Sequence, residues 1–389
     1  KAGASRFDML NPIPARFRDT GPQAIDDQLW TWTCRRPTGE WVFLKAAERE
    51  AGIEIRRGTT VQSLIAGAPG RSGVPHVAGV RTADGEEIRA ELVIDATGRG
   101  SRAPDWLSAL GADVPSDQAM DSNFTYLTRF FSGVMPERKA PPITEMGSIS
   151  ILTLPADRGT WSVTIFVSSR DSELRALRDT NVWTKVLRAC PLHAHWLDGE
   201  PISELLTMSG VVDRCRRFSN GDGPFVTGFA AIADAWVCTN PSAGRGMTVG
   251  MLHARQLRDS VRRFADDPCQ LVRDFDERTE CDIKPWYDAQ IAVDRMRFSA
   301  MEASRAGRAP PVPADQLTRD LMLLHAAMLA DGELFRLGLE YIATLSTAQE
   351  IMDRPGVRER MKIALDEMSR DGRPAMPGPS REQLLALVA

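Results

Sequence analysis

Two stretches of this chain combine acidic, hydroxyl-bearing and glycine residues at the ends of short apolar runs. The longer stretch begins with the apolar run from Phe225 to Ile232, passes through Asp234 and Asn240-Pro241, and ends in Gly244-Arg245-Gly246-Met247. Open α/β sheets bind ligands just beyond the carboxyl ends of such buried strands. Glycines also let the backbone approach a flat ring without interference from Cβ atoms. The pattern predicts a cofactor site, although an ordinary strand-loop-helix connection would also explain the glycines.

A helix is predicted directly after the glycine loop. Small or apolar residues recur there at steps of four and three and form one stripe: Gly250, Ala254, Leu257, Val261 and Phe264. The helix then begins at about Met247. Its free N–H groups and the positive end of its dipole would stabilise negative charge on a bound group.

The second stretch has a similar layout. A hairpin signal at Asp84-Gly85 precedes the short apolar strand Leu92-Val93-Ile94, which ends in Asp95-Ala96-Thr97-Gly98. Small residues in this turn permit close approach to a dinucleotide, and the nearby Arg99 and Ser101 supply donors for phosphate or ribose oxygens. A solvated turn after a core strand is the alternative interpretation.

Together these motifs resemble the FAD-dependent oxidoreductases that share the fold of the aromatic hydroxylases, also called group A flavoprotein monooxygenases. Asp95 to Arg99 resembles the family's middle fingerprint, and the segment from Ala233 to Met247 resembles its third, flavin-contacting fingerprint. The stretch from Arg35 to Trp41, followed by Val61, is similar to the helix and strand at the adenosine end of FAD. The resemblance extends over almost the whole chain.

The resemblance assigns roles to individual residues. Asp234 would bind the ribityl chain, while Pro241 and the residues from Gly244 to Met247 would border the isoalloxazine ring. The full set of implied cofactor-binding residues is Arg36, Val61, Asp95, Ala96, Thr97, Gly98, Arg99, Asp234, Pro241, Gly244, Arg245, Gly246 and Met247.

Two departures from the family pattern stand out. Ala233 occupies a position where the family usually has glycine, which adds a methyl group beside the ribityl-binding aspartate. The first fingerprint, a strand followed by Gly-x-Gly-x-x-Gly that cradles the pyrophosphate, does not occur in the sequence. We therefore expect an N-terminal βαβ portion of several tens of residues to be missing from this chain.

The predicted fold class is α/β. Residues 1–115 and 208–268 are predicted to form an interleaved Rossmann-like FAD-binding domain, incomplete at its N-terminus. Residues 116–207 are predicted to form an inserted antiparallel β-sheet that binds substrate, and residues 269–389 a helical C-terminal region. In that region Ser380 and Gln383 form a capping box for the last helix.

The inserted sheet is predicted from strand patterns at Phe124 to Phe131, Ser148 to Leu154 and Thr160 to Ser168. If this sheet covers the substrate, its polar and aromatic side chains are candidate pocket residues, although aromatic residues in sheets are more often plain core. The candidates are Tyr126, Arg129, Phe131 and Trp161.

Composition limits the partners. The 48 basic and 52 acidic side chains give a net charge of -4, so no global field favours nucleic acid or an anionic membrane. Six separated cysteines without a Cys-x-x-Cys pair indicate reduced thiols and a cytoplasmic protein. No apolar run reaches membrane-spanning length. No metal site is predicted, because His193 and His195 lack a supporting acidic or cysteine cluster.

The resemblance implies an FAD-dependent monooxygenase, a hydroxylase or epoxidase of an apolar small molecule that acts through a flavin C4a-(hydro)peroxide. No catalytic side chain is assigned, because protein groups in such enzymes mainly orient substrate and exclude water. NAD(P)H or a separate flavin reductase would supply electrons. The alternatives are a reductase of prenyl double bonds, which oxygen uptake coupled to substrate addition would distinguish, and an inactive fragment that does not bind FAD.

Overall fold

The computed structural model of the chain describes residues 2–11, 13–14, 17, 20–69, 73–113, 116–220, 223–371 and 378–389. The chain forms two compact units. The first unit consists of Lys1–Ile53, Asn123–Val211 and Ala292–Ala389, and the second of Glu54–Ser122 and Val212–Ile291. The predicted domain boundaries assigned the first 53 residues to the cofactor domain, whereas their contacts group them with the inserted sheet.

The described strands follow the chain in this order: β1 Ser5–Asp8, β2 Trp30–Thr33, β3 Val61–Ala66, β4 Val77–Thr82, β5 Glu87–Arg89, β6 Val93–Asp95, β7 Ser116–Asp121, β8 Phe124–Ser132, β9 Ile143–Met146, β10 Ile149–Pro155, β11 Thr160–Ser168, β12 Glu200–Pro201, β13 Leu206–Met208, β14 Val212–Arg217, β15 Ser219–Asn220, β16 Gly223–Pro224, β17 Phe229–Ala231 and β18 Val237–Cys238.

The helices are α1 Arg36–Ala47, α2 Ala103–Ala109, α3 Thr180–Arg188, α4 Gly246–Phe264, α5 Pro268–Arg278, α6 Lys284–Arg305, α7 Gln316–Ala327, α8 Gly332–Ile342, α9 Ala348–Met352, α10 Val357–Asp371 and α11 Arg381–Val388. A π-helical turn, Thr279–Ile283, joins α5 to α6. The chain is therefore a mixed α/β protein, as predicted.

The first unit is built around an antiparallel sheet with strand order β12-β8-β11-β10-β9, in which β13 also pairs with β8. The three strands predicted for the insert are confirmed. Strands β8 and β11 pair over their whole length, from Ser132 opposite Thr160 to Phe124 opposite Ser168. Both faces of these strands carry apolar side chains, because helices cover the sheet on both sides.

One face of this sheet packs against α3 and α11. The rings of Trp161 and Trp183 both stack on Phe131, at centroid separations of 6.1 and 6.5 Å. The indole N–H groups of both tryptophans donate to backbone oxygens, that of Trp161 to Trp196 at 2.9 Å. Helix α11 completes this core, and the predicted capping box of Ser380 and Gln383 is present at its start.

The second unit holds a parallel pair, β6 with β17, and two antiparallel sheets, β3-β4-β5 and β18-β14-β7. The strand predicted from Phe225 to Ile232 is shorter than expected, because only Phe229–Ala231 pairs with β6. Upstream, the backbone of Thr227 bonds instead to Pro75 and Val77. Gly228 then turns with a φ of +70°, which redirects the chain into β17.

Sequence patterns also predict a helix from Thr38 to Ala51, a strand around Ile53 to Ile55 and a long helical stretch over residues 270–303. The strand prediction is wrong: the segment is irregular, and both isoleucines are exposed. No described strand lies beside it, and a strand without a neighbour is not stable. The helix predicted to end at Ala51 ends at Ala47. The helical stretch predicted over residues 270–303 is confirmed, and the π-helical turn Thr279–Ile283 lies within it.

A buried ion pair ties the N-terminal segment to the helical region of the first unit. The guanidinium of Arg336, on α8, donates to both carboxylate oxygens of Asp26 at 2.6 and 3.0 Å. It also donates to the Thr20 hydroxyl and the Gly21 carbonyl oxygen at 3.0 and 2.8 Å. The hydrogen bonds from Arg336 hold the pKa of Asp26 below its ordinary value.

We expect Asp26→Ala to lower the free energy of unfolding by about 3 kcal/mol, because it leaves the buried guanidinium of Arg336 without its carboxylate. Urea denaturation at neutral pH measures this loss. Asp27→Ala is the matched control, since the neighbouring Asp27 is exposed. Equal stability of the two variants would show that the buried pair does not hold the segment.

Candidate functional site

The two polar turns predicted from separate motifs adjoin in the second unit. Val93 lies opposite Phe229 and Asp95 opposite Ala231, so the carboxyl ends of β6 and β17 reach the same edge. The N–H of Ile232 continues the pairing by donating to the Asp95 carbonyl oxygen at 3.0 Å. A Cβ atom placed on Gly98 would lie 3.9 Å from the Cβ of Asp234. The middle and third fingerprints therefore form one surface.

Asp95 closes its own turn. One carboxylate oxygen accepts the Thr97 N–H at 2.9 Å and the Thr97 hydroxyl at 2.6 Å, and the other accepts the Ser101 hydroxyl at 2.5 Å. The Asp95 side chain is buried, whereas Ala96, Thr97 and Arg99 are exposed. Asp95 thus fixes the shape of the turn, and its neighbours present the accessible surface.

Buried polar groups fix the glycine loop. Asp213, on β14, accepts the Asn240 N–H at 2.6 Å, and the Asn240 side chain accepts the Ser242 N–H at 2.9 Å. Gln290 then donates to the Ser242 hydroxyl at 3.1 Å. Gly244 follows in the left-handed region with a φ of +66°, where glycine carries no Cβ penalty.

The exposed part of this loop contains the residues predicted to border a ring: Pro241, Gly244, Gly246 and Met247 are all exposed. Helix α4 begins at Gly246, one residue before the predicted start, and the Arg245 side chain makes no capping hydrogen bond. Backbone N–H groups and the positive end of the helix dipole therefore lie at the start of α4, beside the exposed glycines.

A shallow cleft lies beside the Asp234 turn. Its walls include Asp234, Arg245 and Gly246 from the predicted set. The guanidinium of Arg245 lies over the ring of Trp286, 5.4 Å from its centroid.

The lining residues from α6, Trp286, Tyr287 and Gln290, were not predicted from the sequence. They come about 40 residues after the glycine loop, and no motif of fixed spacing connects them to it. Burial raises the pKa of the Tyr287 phenol. Tyr287 is therefore a neutral hydrogen-bonding group in the cleft wall.

Ala233, immediately before Asp234, adopts a φ of +51°, in the left-handed region that favours glycine. This explains the family's preference for glycine there. The Ala233 N–H donates to Nδ1 of the buried His253 at 3.1 Å. A Cβ on Gly250 would approach the Ala233 Cβ to 3.0 Å, so the extra methyl group of Ala233 occupies space that Gly250 leaves open.

Arg36 and Val61 are not among the residues that line this cleft. Arg36 is exposed at the first position of α1 and pairs with Glu40 at 2.6 Å. Val61 begins β3 and lies opposite Thr82.

The candidate pocket residues divide between the two faces of the inserted sheet. Tyr126 packs on Phe166 at 5.3 Å in an aromatic cluster on one face. Phe131 and Trp161 belong to the core on the opposite face, and Arg129, at the same parity as Phe131, donates to the Ser203 carbonyl oxygen at 3.1 Å. The structure does not bring the four side chains together.

The described residues contain no group of three or more His, Cys, Asp or Glu side chains placed to hold a metal ion. Nor does any helix in the described ranges combine the length and apolarity needed to cross a bilayer.

Comparison with known proteins identifies the fold. The structure resembles the probable FAD-dependent monooxygenase PqsL of Pseudomonas aeruginosa, with a TM-score of 0.54 and 15% identity over 77% of this chain and 82% of that one. It also resembles the flavin-dependent brominase Bmp2, with a TM-score of 0.51 and 15% identity over 95% of this chain and 84% of that one. The chain has the fold shared by FAD-dependent monooxygenases and flavin-dependent halogenases, as the motifs predicted.

Sequence relatives give less detail. No protein-family model matches the chain. Protein Rv3254 of Mycobacterium tuberculosis is 27% identical over an alignment of 248 positions that covers 58% of this chain and 49% of that protein. The chain thus spans about half the length of this relative.

We expect Gly250→Ala to be neutral or destabilising alone but stabilising, by about 1 kcal/mol, in the Ala233→Gly background. Alanine favours a helix interior, and only the Ala233 methyl group opposes it. Urea denaturation of both single variants and the double variant gives the coupling energy. Additive effects would contradict the proposed steric pairing.

Burial lowers the pKa of both His253 and His193 to about 4. Their folded pKa values lie below the unfolded value of about 6.5, so both favour the folded state above pH 6.5. We expect each to reduce stability by up to about 3 kcal/mol as the pH falls from about 6.5 to about 4. NMR titration of the imidazoles checks this, and titration near 6.5 would contradict it.

Proposed function

We propose that this chain is part of an FAD-dependent oxidoreductase, specifically a monooxygenase that hydroxylates or epoxidises an apolar small molecule. The observation that carries the proposal is the meeting of the Asp95–Gly98 turn and the Asp234 turn at the ends of two parallel strands. Asp234 and residues of the glycine loop before α4 line one cleft. The fold similarity supports the same proposal.

The residues present fit the ribityl and ring parts of FAD. Asp234 is half-buried in the cleft wall, where its carboxylate would accept hydrogen bonds from ribityl hydroxyls. A Cβ added to Gly244 or Gly246 would meet nothing within 4 Å, so open space lies in front of this backbone. A flat ring would lie against it.

Positive charge at the glycine loop would stabilise a reduced, negatively charged flavin. The N-terminus of α4 and the Arg245 guanidinium both favour negative charge beside Gly246. FAD, when bound, supplies the redox and oxygen chemistry. The protein's part is to bind and orient the ring, to favour its reduced anionic form, and to keep water away with the apolar walls of Val237, Val249 and Trp286.

Of the predicted pocket residues, Tyr126, Phe131 and Trp161 are buried in the packed core of the inserted sheet, so we assign them no substrate contact. Phe124 and Phe166 share the face of Tyr126, and Phe298 of α6 packs edge to face on Phe124 about 6 Å away. Electrons would come from NAD(P)H or from a separate flavin reductase.

The first test is a titration of the purified chain with FAD, in which binding is monitored by the quenching of flavin fluorescence. We expect binding by the wild-type chain, and Asp234→Ala should raise the Kd by about ten-fold or more, because hydrogen bonds to a carboxylate are lost. Asp266→Ala is the matched control, since Asp266 is an exposed aspartate of the same unit. Absence of binding by the wild-type chain would overturn the proposal for this chain. Equal Kd values for both variants would remove Asp234 from the site.

A further inference from the structure

We propose that His253 is the positioning residue of the candidate flavin site: as a neutral imidazole with its proton on Nε2, it holds Ala233 in the left-handed conformation that presents Asp234 to the cofactor. This inference rests on the proposed function, because it assigns His253 a role in FAD binding.

The position of the imidazole is fixed by its surroundings. His253 lies on α4 and is fully buried. Its ring stacks on Phe275, with centroids 4.9 Å apart, and meets Trp236 edge to face, also at 4.9 Å. Packing between these two aromatic rings fixes the plane of the imidazole ring. Its two nitrogen atoms therefore point in fixed directions.

Hydrogen bonds decide which nitrogen carries the proton. The Thr279 hydroxyl donates its single proton to the Phe275 carbonyl oxygen at 2.7 Å. Its contact with Nε2 of His253, at 3.1 Å, must then be a bond in which Nε2–H donates and Thr279 accepts. Nδ1 consequently keeps a lone pair, which accepts the Ala233 N–H at 3.1 Å. Burial lowers the pKa of His253 to about 4, which keeps the ring neutral at physiological pH.

The hydrogen bond from the Ala233 N–H to His253 affects the position of Asp234, the next residue in the chain. A left-handed conformation is unfavourable for alanine and persists only where surrounding contacts impose it. The acceptor on His253 supplies such a contact one residue before Asp234. Thr279 opens the π-helical turn Thr279–Ile283, so this turn places the hydroxyl that orients the imidazole.

The test compares FAD affinity in variants that separate these roles. His253→Leu removes the acceptor and should raise the Kd for FAD about ten-fold or more. His253→Asn offers an amide oxygen near the position of Nδ1 and should recover most of the affinity. Ala233→Gly in the His253→Leu background should also recover most of it, because glycine adopts a positive φ without help. A purely structural role would not be rescued by a substitution at Ala233.

Two further measurements remain decisive if His253→Leu does not fold. Nitrogen NMR of the wild-type chain should show His253 as the neutral Nε2–H form, and the Nδ1–H form or an imidazolium at neutral pH would overturn the inference. Thr279→Val should weaken FAD binding, because it releases the imidazole from its set tautomer. His76→Leu is the control for loss of a half-buried histidine in the same unit and should leave the Kd unchanged.

The outcomes distinguish the two proposals. A wild-type chain that does not bind FAD refutes the proposed function, and the role of His253 in binding with it. A wild-type chain that binds FAD, with folded His253→Leu or Thr279→Val variants of equal affinity, refutes only the inference about His253.

Discussion

The parallel pairing of β6 with β17 is the interaction on which the candidate site depends. Each strand contributes only three residues, and the paired residues are more than 130 positions apart in the chain. Two backbone bonds extend the pairing, from Val93 to Gly228 and from Ile232 to Asp95. Parallel strands cannot be joined by a tight turn, so this contact forms only when the intervening chain has folded. Once it forms, two turns that are remote in sequence share one edge.

Internal hydrogen bonds hold much of the rest of the site. The carboxylate of Asp95 serves its own turn, and the chain of bonds from Asp213 through Asn240 and Ser242 to Gln290 holds the glycine loop. Hydrogen-bonded buried groups favour one geometry, because a different loop conformation would break these bonds.

Sequence reasoning succeeded where the signal is local. The Asp84-Gly85 hairpin, the start of α4 and the capping box of α11 each depend on residues a few positions apart, and all three are present. It failed where tertiary partners decide the outcome. The apolar run from Phe225 was predicted as one strand, but the backbone before Gly228 pairs elsewhere. Composition also does not show which face of a sheet a side chain occupies, so Tyr126 and Trp161 were grouped although they lie on opposite faces.

Trp286, Tyr287 and Gln290 reach the cleft only through the geometry of α6, and the wider turn Thr279–Ile283 sets that geometry. A π-helical turn accommodates one residue more than an α-helical turn over the same rise. Relative to a continuous α-helix, each residue inserted or deleted rotates the following helix by about 100°. The wall of the cleft is thus tied to the length of the segment as well as to its side chains. Evolution can exchange individual residues between α5 and α6, but a single deletion there would turn a different face of α6 toward the cleft.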